Sequence, residues 1–411
     1  MRRLLALVLL LTPLALPKMP VDEFRTRRAN LRKALDGVLL LAGRVEGRDE
    51  VFREDQEPNF YYLTGWTDPG AKLLITPAQE ILFLPHRNSR REQYMGKRVS
   101  AEDADVRAVT GFDLVLPMEK FESELDKALS AYESVYALSG DPMAEKLKPL
   151  YPFREIADAQ PQLTRLRMKK SPAEIAAIQH ATDVSLDAQR ASWKLLGAGV
   201  YEYQLAAVLW KTYIENGCEG VAYAPIVGSG PNSTVLHYSS NQRRMDRGEV
   251  VVMDAAAQCD NYASDITRTV PVGGKFSARE REIYNIVLGA QNAAIAAAKP
   301  GMRMTGTNSN SLTKIAKDYM DAHGKDLHGQ PLGKYFIHGI GHQVGLQVHD
   351  ASLDVALEAG MVVTIEPGIY IPEENIGVRI EDVIVITSDG AKLLSGALAR
   401  EPDEIEKAVA R

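Results

Sequence analysis

Cysteine is almost missing from this chain. Only Cys218 and Cys259 occur among 411 residues, so disulfides cannot be the framework of the fold, which must rest on apolar cores. An exported chain could pair the two, but the expectation is two small buried hydrophobes. A charge excess of one sign is also lacking: 48 basic and 54 acidic residues leave a formal net charge of −6. No basic stripe tracks a nucleic-acid backbone, so nucleic acid is not an expected partner. Nor is the apolar run Leu4 to Leu16 long enough to span a bilayer comfortably. It follows Arg2 and Arg3 and is broken by Pro13, the layout of an export signal without a clean cleavage box. Residues 1–17 are therefore expected to be a signal segment and the protein exported or periplasmic; it would be cytoplasmic if the segment is not a signal.

What remains is an ordinary globular composition, 45% hydrophobic and 25% charged, long enough for about two or three domains with real cores. Residues 18–155 alternate short apolar runs with helical stretches. VLLLAG (38–43), KLLITP (72–77) and ILFLP (81–85) are expected strands and Phe121 to Ser130 an expected helix, giving a mixed α/β domain. The aromatic segment NFYYLTGWTDPG (59–70) is expected in its core. Residues 156–170 are polar and basic and are taken as a linker. At Ser171-Pro172-Ala173-Glu174 a capping residue, a first-turn proline and a capping-box glutamate open a helix, so the second domain is placed at 171–411.

That domain reads as an internal duplication. Ser277-Ala278-Arg279-Glu280 repeats the helix opening 106 residues after Ser171, and His323-Gly324 repeats the helix stop at Asn216-Gly217 at an offset of 107. Gly248 to Asp254 (GEVVVMD) is answered by Gly360 to Glu366 (GMVVTIE), Asp265 by Glu381 and His237 by His349, at offsets of 112, 116 and 112. Each half thus carries one histidine and two carboxylates in the same order, among β-branched strand residues. Chance can copy an apolar rhythm more easily than three matched polar positions, so two halves are expected to face one site.

Four carboxylates cannot all stay ionised in a partly buried cleft without compensation. Two divalent cations would balance them, and an oxygen-rich set with one imidazole suits hard or borderline ions. Such a pair, roughly 3.5–4 Å apart, promotes hydrolysis of an acyl bond. The imidazole is expected from His338-Gly339-Ile340-Gly341-His342. Of the eight histidines, His237, His338, His342 and His349 lie in the duplicated strands or this glycine-rich segment, whereas His86, His180, His323 and His328 are taken as structural.

VMDAAAQCDNYASDITRT, IVGSGPNSTVLHY, HGIGHQVGLQVHD, TIEPGIYI and VRIEDVIVI together resemble, in order, the motifs of the pita-bread metallopeptidases, in particular the aminopeptidase P and prolidase subgroup. The resemblance implies an α/β (α+β) architecture: a pita-bread catalytic domain preceded by a smaller, mixed α/β creatinase-like domain. It implies metal ligands Asp254, Asp265, His342, Glu366 and Glu381, with Asp265 and Glu381 bridging two ions, Mn²⁺ foremost and Co²⁺ or Zn²⁺ as alternatives. Glu366 would accept a proton from the attacking water, His237, His338 and His349 would bind substrate or stabilise the intermediate, and Arg379 and Tyr370 would lie near the metals and the proline side. Tyr94, in REQYMGKRV, matches an aromatic that lines a neighbouring subunit's pocket, which implies a homo-oligomer, dimer or tetramer. The implied activity is release of the N-terminal residue from peptides with proline second; the alternatives are an Xaa-Pro dipeptidase and a non-catalytic binding protein of the same fold. Two departures stand out: Ala351-Ser352 follow Asp350 where the family often has Val-Gly, and Gln343 replaces an aromatic or apolar residue.

Overall fold

Leucine- and isoleucine-rich runs near the N-terminus become one sheet in which alternate side chains serve two different cores. The computed structural model describes residues 19–45, 55–152 and 154–410; the expected signal segment lies outside the described residues. Strands β1 (Val38–Ala42), β2 (Lys72–Ile75), β3 (Glu80–Leu84), β4 (Val115–Pro117), β5 (Val135–Ala137) and β6 (Ile156–Asp158) form a six-stranded sheet of order β4-β3-β2-β1-β5-β6. β1, β2 and β3 pair antiparallel and the outer strands join in parallel. Because strand side chains alternate, Leu39, Leu41, Leu73, Ile75, Leu82 and Leu84 enter the core shared with the rest of the chain. Val38, Leu40, Leu74, Ile81 and Phe83 face a smaller core, closed by Phe121, Leu125 and Leu129 of the helix Phe121–Ala131. The aromatic segment forms the helix Pro58–Thr64, with Phe60, Tyr61 and Tyr62 all buried, as expected of core residues.

Residues 156–170 are not a linker. Ile156–Asp158 extends the sheet by pairing with β5, and Gln160–Met168 is a helix. Its basic residue Arg167 is 2% exposed and Lys170, just beyond it, 5% exposed. Both are buried because the Asp350 carboxylate, from far along the chain, meets them.

The second domain opens with the capping box at Ser171 and the helix Pro172–Trp193, followed by the helix Glu202–Glu215. The second box at Ser277 opens Ala278–Ala297. The next helix, expected from about Ser309, begins at Leu312, because Ser311 rather than Ser309 caps it by accepting the Lys314 N–H. After each helix pair comes a related strand plan, with a different flanking strand in each half. In the first half β7 (Gly220–Val221) and β8 (Ile226–Ser229) lead to β9 (Val250–Asp254), β10 (Ala257–Cys259), β11 (Tyr262–Ala263) and β12 (Thr267–Pro271). In the second half β13 (Val362–Ile365), β14 (Gly368–Ile371), β15 (Ile376–Arg379), β16 (Asp382–Ile386) and β17 (Ala391–Leu393) follow. β9 pairs antiparallel with β12 and β13 with β16; between them β10–β11 and β14–β15 project as hairpins. Asp260 and Asn261, at φ 53° and 64°, make the tight two-residue turn that suits a hairpin's twist.

The halves are stitched together at their strand ends. The Glu381 N–H donates to the Thr267 carbonyl at 3.0 Å, and the Thr269 hydroxyl accepts from the Arg379 N–H at 3.0 Å. At Gly377 the Ser233 carbonyl comes so close that a Cβ would sit 1.9 Å from its oxygen, so the seam itself demands glycine.

Cys218 and Cys259 are bonded to each other, not two separate thiols. The pairing of β7 with β10 sets the segments side by side, leaving 4.2 Å between the Cα atoms. The bridge closes a loop with a sequence separation of 41, for which chain-entropy models give about 2–4 kcal/mol. Cys218→Ser, or reduction, is expected to lower the unfolding free energy by that amount, read from urea melts of the oxidised and reduced protein.

Candidate metal centre

Two apolar strands each end in an acid because the acids have somewhere to point. Asp254 closes β9 and Asp265 precedes β12; Glu366 follows β13 and Glu381 precedes β16. All four line one cleft of about 620 Å³ between the halves, together with His342, His237, His338, His349 and Arg379. The internal symmetry expected from the sequence is thus realised in space.

His342 is aimed by its neighbours. Its backbone N–H donates to the Thr364 hydroxyl at 3.0 Å, and Thr364 returns an N–H to the His342 carbonyl at 2.9 Å. Gly341 makes this approach possible, since a Cβ there would lie 2.2 Å from the Thr364 carbonyl oxygen. Nδ1 of His342 lies 3.0 Å from the Gln343 carbonyl, and Nε2 faces Asp265 at 3.3 Å and Glu366 at 3.5 Å. An imidazole donating through Nδ1 presents an Nε2 lone pair to a metal.

The ligand atoms of Asp265, His342 and Glu381 lie within 4.8 Å of one another. Glu381 is 1% exposed; one of its oxygens accepts from Thr267 at 2.7 Å, while the other is buried with no hydrogen-bond partner. A buried carboxylate oxygen left so costs free energy unless a cation takes it. The residues therefore fit divalent metal.

The electrostatics agree. Burial, then the charges of Asp265, Glu366 and Asp254, push the Glu381 carboxyl well above the usual range. Burial likewise lifts Glu366 to about 7, against the opposing pull of His342. Asp254 is raised by burial although Arg379 opposes it. Burial disfavours a charged His342, but the hydrogen bond and charge of Asp265, with Glu366, outweigh it and hold the ring at about 9. In the metal-free protein Glu366 and His342 both bind protons more tightly folded than at their ordinary values of 4.5 and 6.5. Their contribution to stability is complete below those ordinary values and is lost as pH rises through about 7 and about 9. Metal affinity runs the other way, because ligands must shed protons. The gain in melting temperature on adding Mn²⁺ is therefore expected to grow steadily between about pH 5 and pH 8, as read by differential scanning fluorimetry of chelator-stripped protein.

Around the acids sits a layer that sequence reasoning reached only in part. The Arg379 guanidinium donates to Asp254 at 2.6 Å, to the Tyr370 hydroxyl at 2.9 Å, to Thr267 at 3.2 Å and to the Leu236 carbonyl at 3.3 Å. Tyr370 stands behind the cleft wall, its hydroxyl 2.9 Å from His338 Nε2. Burial lowers His338 to about 4 and also lowers His349, which packs edge-to-face on His342 at 4.2 Å. Tyr223 was missed: its hydroxyl lies 2.5 Å from both Asp254 and Asp265, yet a lone tyrosine before a short strand carries no signal of that role. Tyr94 is not brought to the cleft of its own chain; it sits 78% exposed on the helix Ser89–Met95.

A duplicated scaffold that converges four carboxylates and an imidazole on one buried cleft defines a metal-dependent hydrolase. Comparison with known proteins makes the class specific. Residues 176–388 match metallopeptidase family M24, and residues 24–136 match the aminopeptidase P N-terminal domain. The chain belongs to metallopeptidase family M24. It is 32% identical to an Xaa-Pro aminopeptidase of Haemophilus influenzae over 95% of this chain and 97% of that one. It is 35% identical to an Xaa-Pro dipeptidase of Pyrococcus horikoshii over 83% of this chain and 91% of that one. The structure of Escherichia coli aminopeptidase P with the inhibitor Pro-Leu superposes with a TM-score of 0.84 at 27% identity, covering 96% of this chain and 99% of that one.

Proposed function

We propose that this protein is a metallo-aminopeptidase that hydrolyses the Xaa-Pro bond and releases the N-terminal residue from peptides with proline second. The observation that carries this is the complete set of Asp254, Asp265, His342, Glu366 and Glu381 in one cleft. Two divalent ions, Mn²⁺ first and Co²⁺ or Zn²⁺ next, would be held by Asp254, Asp265, His342, Glu366 and Glu381. When bound, the ions would supply polarisation of the scissile carbonyl and acidification of water. The protein's own groups do the rest. Glu366, just after β13 and lining the cleft, accepts a proton as water attacks. His237 and His349 offer ring N–H groups to the substrate and to charge developing on the carbonyl oxygen. Neutral His338 spends its one N–H on the Gly339 carbonyl at 2.8 Å and braces Tyr370 through Nε2 at 2.9 Å, so it shapes the cleft wall. Arg379 holds Asp254 and Tyr370 in register.

An aminopeptidase is favoured over a dipeptidase by charge. An Xaa-Pro dipeptide brings a free carboxylate on its proline. Among the described residues lining the cleft, Arg379 alone carries a permanent positive charge, and Asp254, Tyr370, Thr267 and Leu236 already engage its donors. His338 and His349 are both lowered by burial and so are held toward the neutral form. A longer peptide, whose proline carbonyl is an uncharged amide, meets no such mismatch. We also propose export, supported by the basic and apolar residues 1–17 and by the Cys218–Cys259 bridge, a bond of oxidising compartments. A homo-oligomer in which exposed Tyr94 reaches a neighbour's cleft completes the proposal.

The test is a substrate-length series on protein of measured metal content. Xaa-Pro tripeptides and pentapeptides are expected to be turned over with kcat/KM at least about tenfold above the Xaa-Pro dipeptide, about 1.4 kcal/mol in the barrier. Turnover of the dipeptide alone would assign a dipeptidase, and bound metal without turnover of any of them a binding protein.

A further inference from the structure

Beside His349, with its side chain turned away from the cleft, lies a carboxylate that the catalytic chemistry does not use. The Asp350 side chain is 2% exposed and accepts from two buried cations, Arg167 Nη2 and Lys170 Nζ, the latter at 3.0 Å. Arg167 reaches further: its Nη1 donates to Asn59 Oδ1 at 2.8 Å, and Nη2 also donates to Gln347 at 3.1 Å. Asn59 belongs to the helix Pro58–Thr64 of the first domain.

On the reading of this cleft as the catalytic site, we infer that the buried chain Asp350, Arg167, Asn59 is a positioning device for His349, through which the N-terminal domain sets the geometry of the active cleft. The loop is built around the carboxylate. At Gly345 a Cβ would lie 2.2 Å from Asp350 Oδ2 and 3.1 Å from Lys170 Cε, so a glycine without positive φ is required there by the acid and its cation. The Asp350 N–H donates to the Gln343 carbonyl at 2.9 Å and closes the loop that carries His342 at one end and His349 at the other. Burying two cations around one anion gives little net stability, because desolvation offsets most of the attraction, whereas the donors fix the acid in one place. Arg167 and Lys170 lie between the first sheet and the helix that opens at Ser171, so any shift of the first domain against the cleft moves Asp350 and the histidine next to it.

Asn59→Ala tests this from the end of the chain remote from the cleft. It is expected to lower kcat on an Xaa-Pro tripeptide by about tenfold, with KM and metal content little changed, since small misplacements of a reacting group are felt chiefly in the chemical step. Asp350→Asn is expected to cost about 10–100-fold, as outer-layer partners commonly do. A positioning role predicts non-additivity: in the His349→Ala background neither substitution lowers kcat further. Losses that multiply in the double variants would overturn the inference, as would a His349→Ala protein with unchanged kcat. Should Asp350→Asn not fold, the Asn59→Ala cycle alone decides. An activity-free arm uses histidine ring resonances in selectively labelled protein: Asn59→Ala should move the His349 signal, and an unmoved signal refutes the device. Absence of turnover by the unaltered, metal-loaded protein would instead refute the catalytic reading, with the ring signal still deciding the positioning.

Discussion

Asp265→Ala is expected to reduce kcat/KM on Xaa-Pro peptides by on the order of 10³-fold or more, over about 4 kcal/mol of transition-state stabilisation. Asp265 touches partners from both halves of the cleft. It faces His342 Nε2 at 3.3 Å, receives the Tyr223 hydroxyl at 2.5 Å, and lies with Glu381 and His342 inside one 4.8 Å cluster. Its removal leaves His342 without the hydrogen bond that holds the ring charged and strips the proposed ion pair of a ligand. Misfolding makes an opposite forecast that separates the two causes. After burial, the charge of Asp265 is the next largest cause pushing Glu381 up, so deleting it relieves repulsion in the metal-free state. The variant should therefore melt at or above the chelator-treated wild type, yet show no melting shift on adding Mn²⁺ and hold less metal by elemental analysis. Near-normal turnover would refute the metal assignment.

Asp382→Ala is expected to be the most damaging single change to folding, by about 3–5 kcal/mol, the cost of stripping one partner from a buried ion pair. Asp382 and Arg268 are both 0% exposed and meet at 2.7 Å. Arg268 also donates to the carbonyls of Thr267, Glu381 and Ala399, while Asp382 accepts from Ser395 at 2.6 Å and Gln291 at 3.0 Å. Without Asp382 the guanidinium stays buried with no counter-charge. Against a typical total of about 5–15 kcal/mol, this should shift the urea midpoint far below wild type. Asp382→Asn, which keeps an acceptor, should cost less; equal midpoints for Asp382→Ala and wild type would sink the assignment of this pair as a structural centre.

The parts of the molecule legible in the sequence share one property, a local departure from what surrounding residues would choose. Ser171 and Ser277 announced helices because a cap, a spacing and an apolar face coincide within a few residues. Asp254, Asp265, Glu366 and Glu381 stood out because acids among valines and isoleucines demand a reason, and the repeat supplied one. What was illegible depends on residues far apart. The 156–170 passage looks like a linker because it is polar and basic; the acid that buries Arg167 and Lys170 lies at position 350. The bridge between Cys218 and Cys259 depends on β7 meeting β10, a pairing of very short strands with no periodicity to read. Tyr223 found its two acids only once both strands were in place.

The split of the cleft between the halves has a kinetic consequence. Asp254 and Asp265 come from the first half, and His342, Glu366 and Glu381 from the second, with 116 positions separating Asp265 from Glu381. No nascent half of the polypeptide can assemble the whole cluster, so a chain emerging from the ribosome has no complete chelating pocket in which to trap a stray ion. Loading must follow the docking of the halves, among the last long-range events of folding. Metal should then leave the refolding rate nearly unchanged and act as a late latch that slows unfolding.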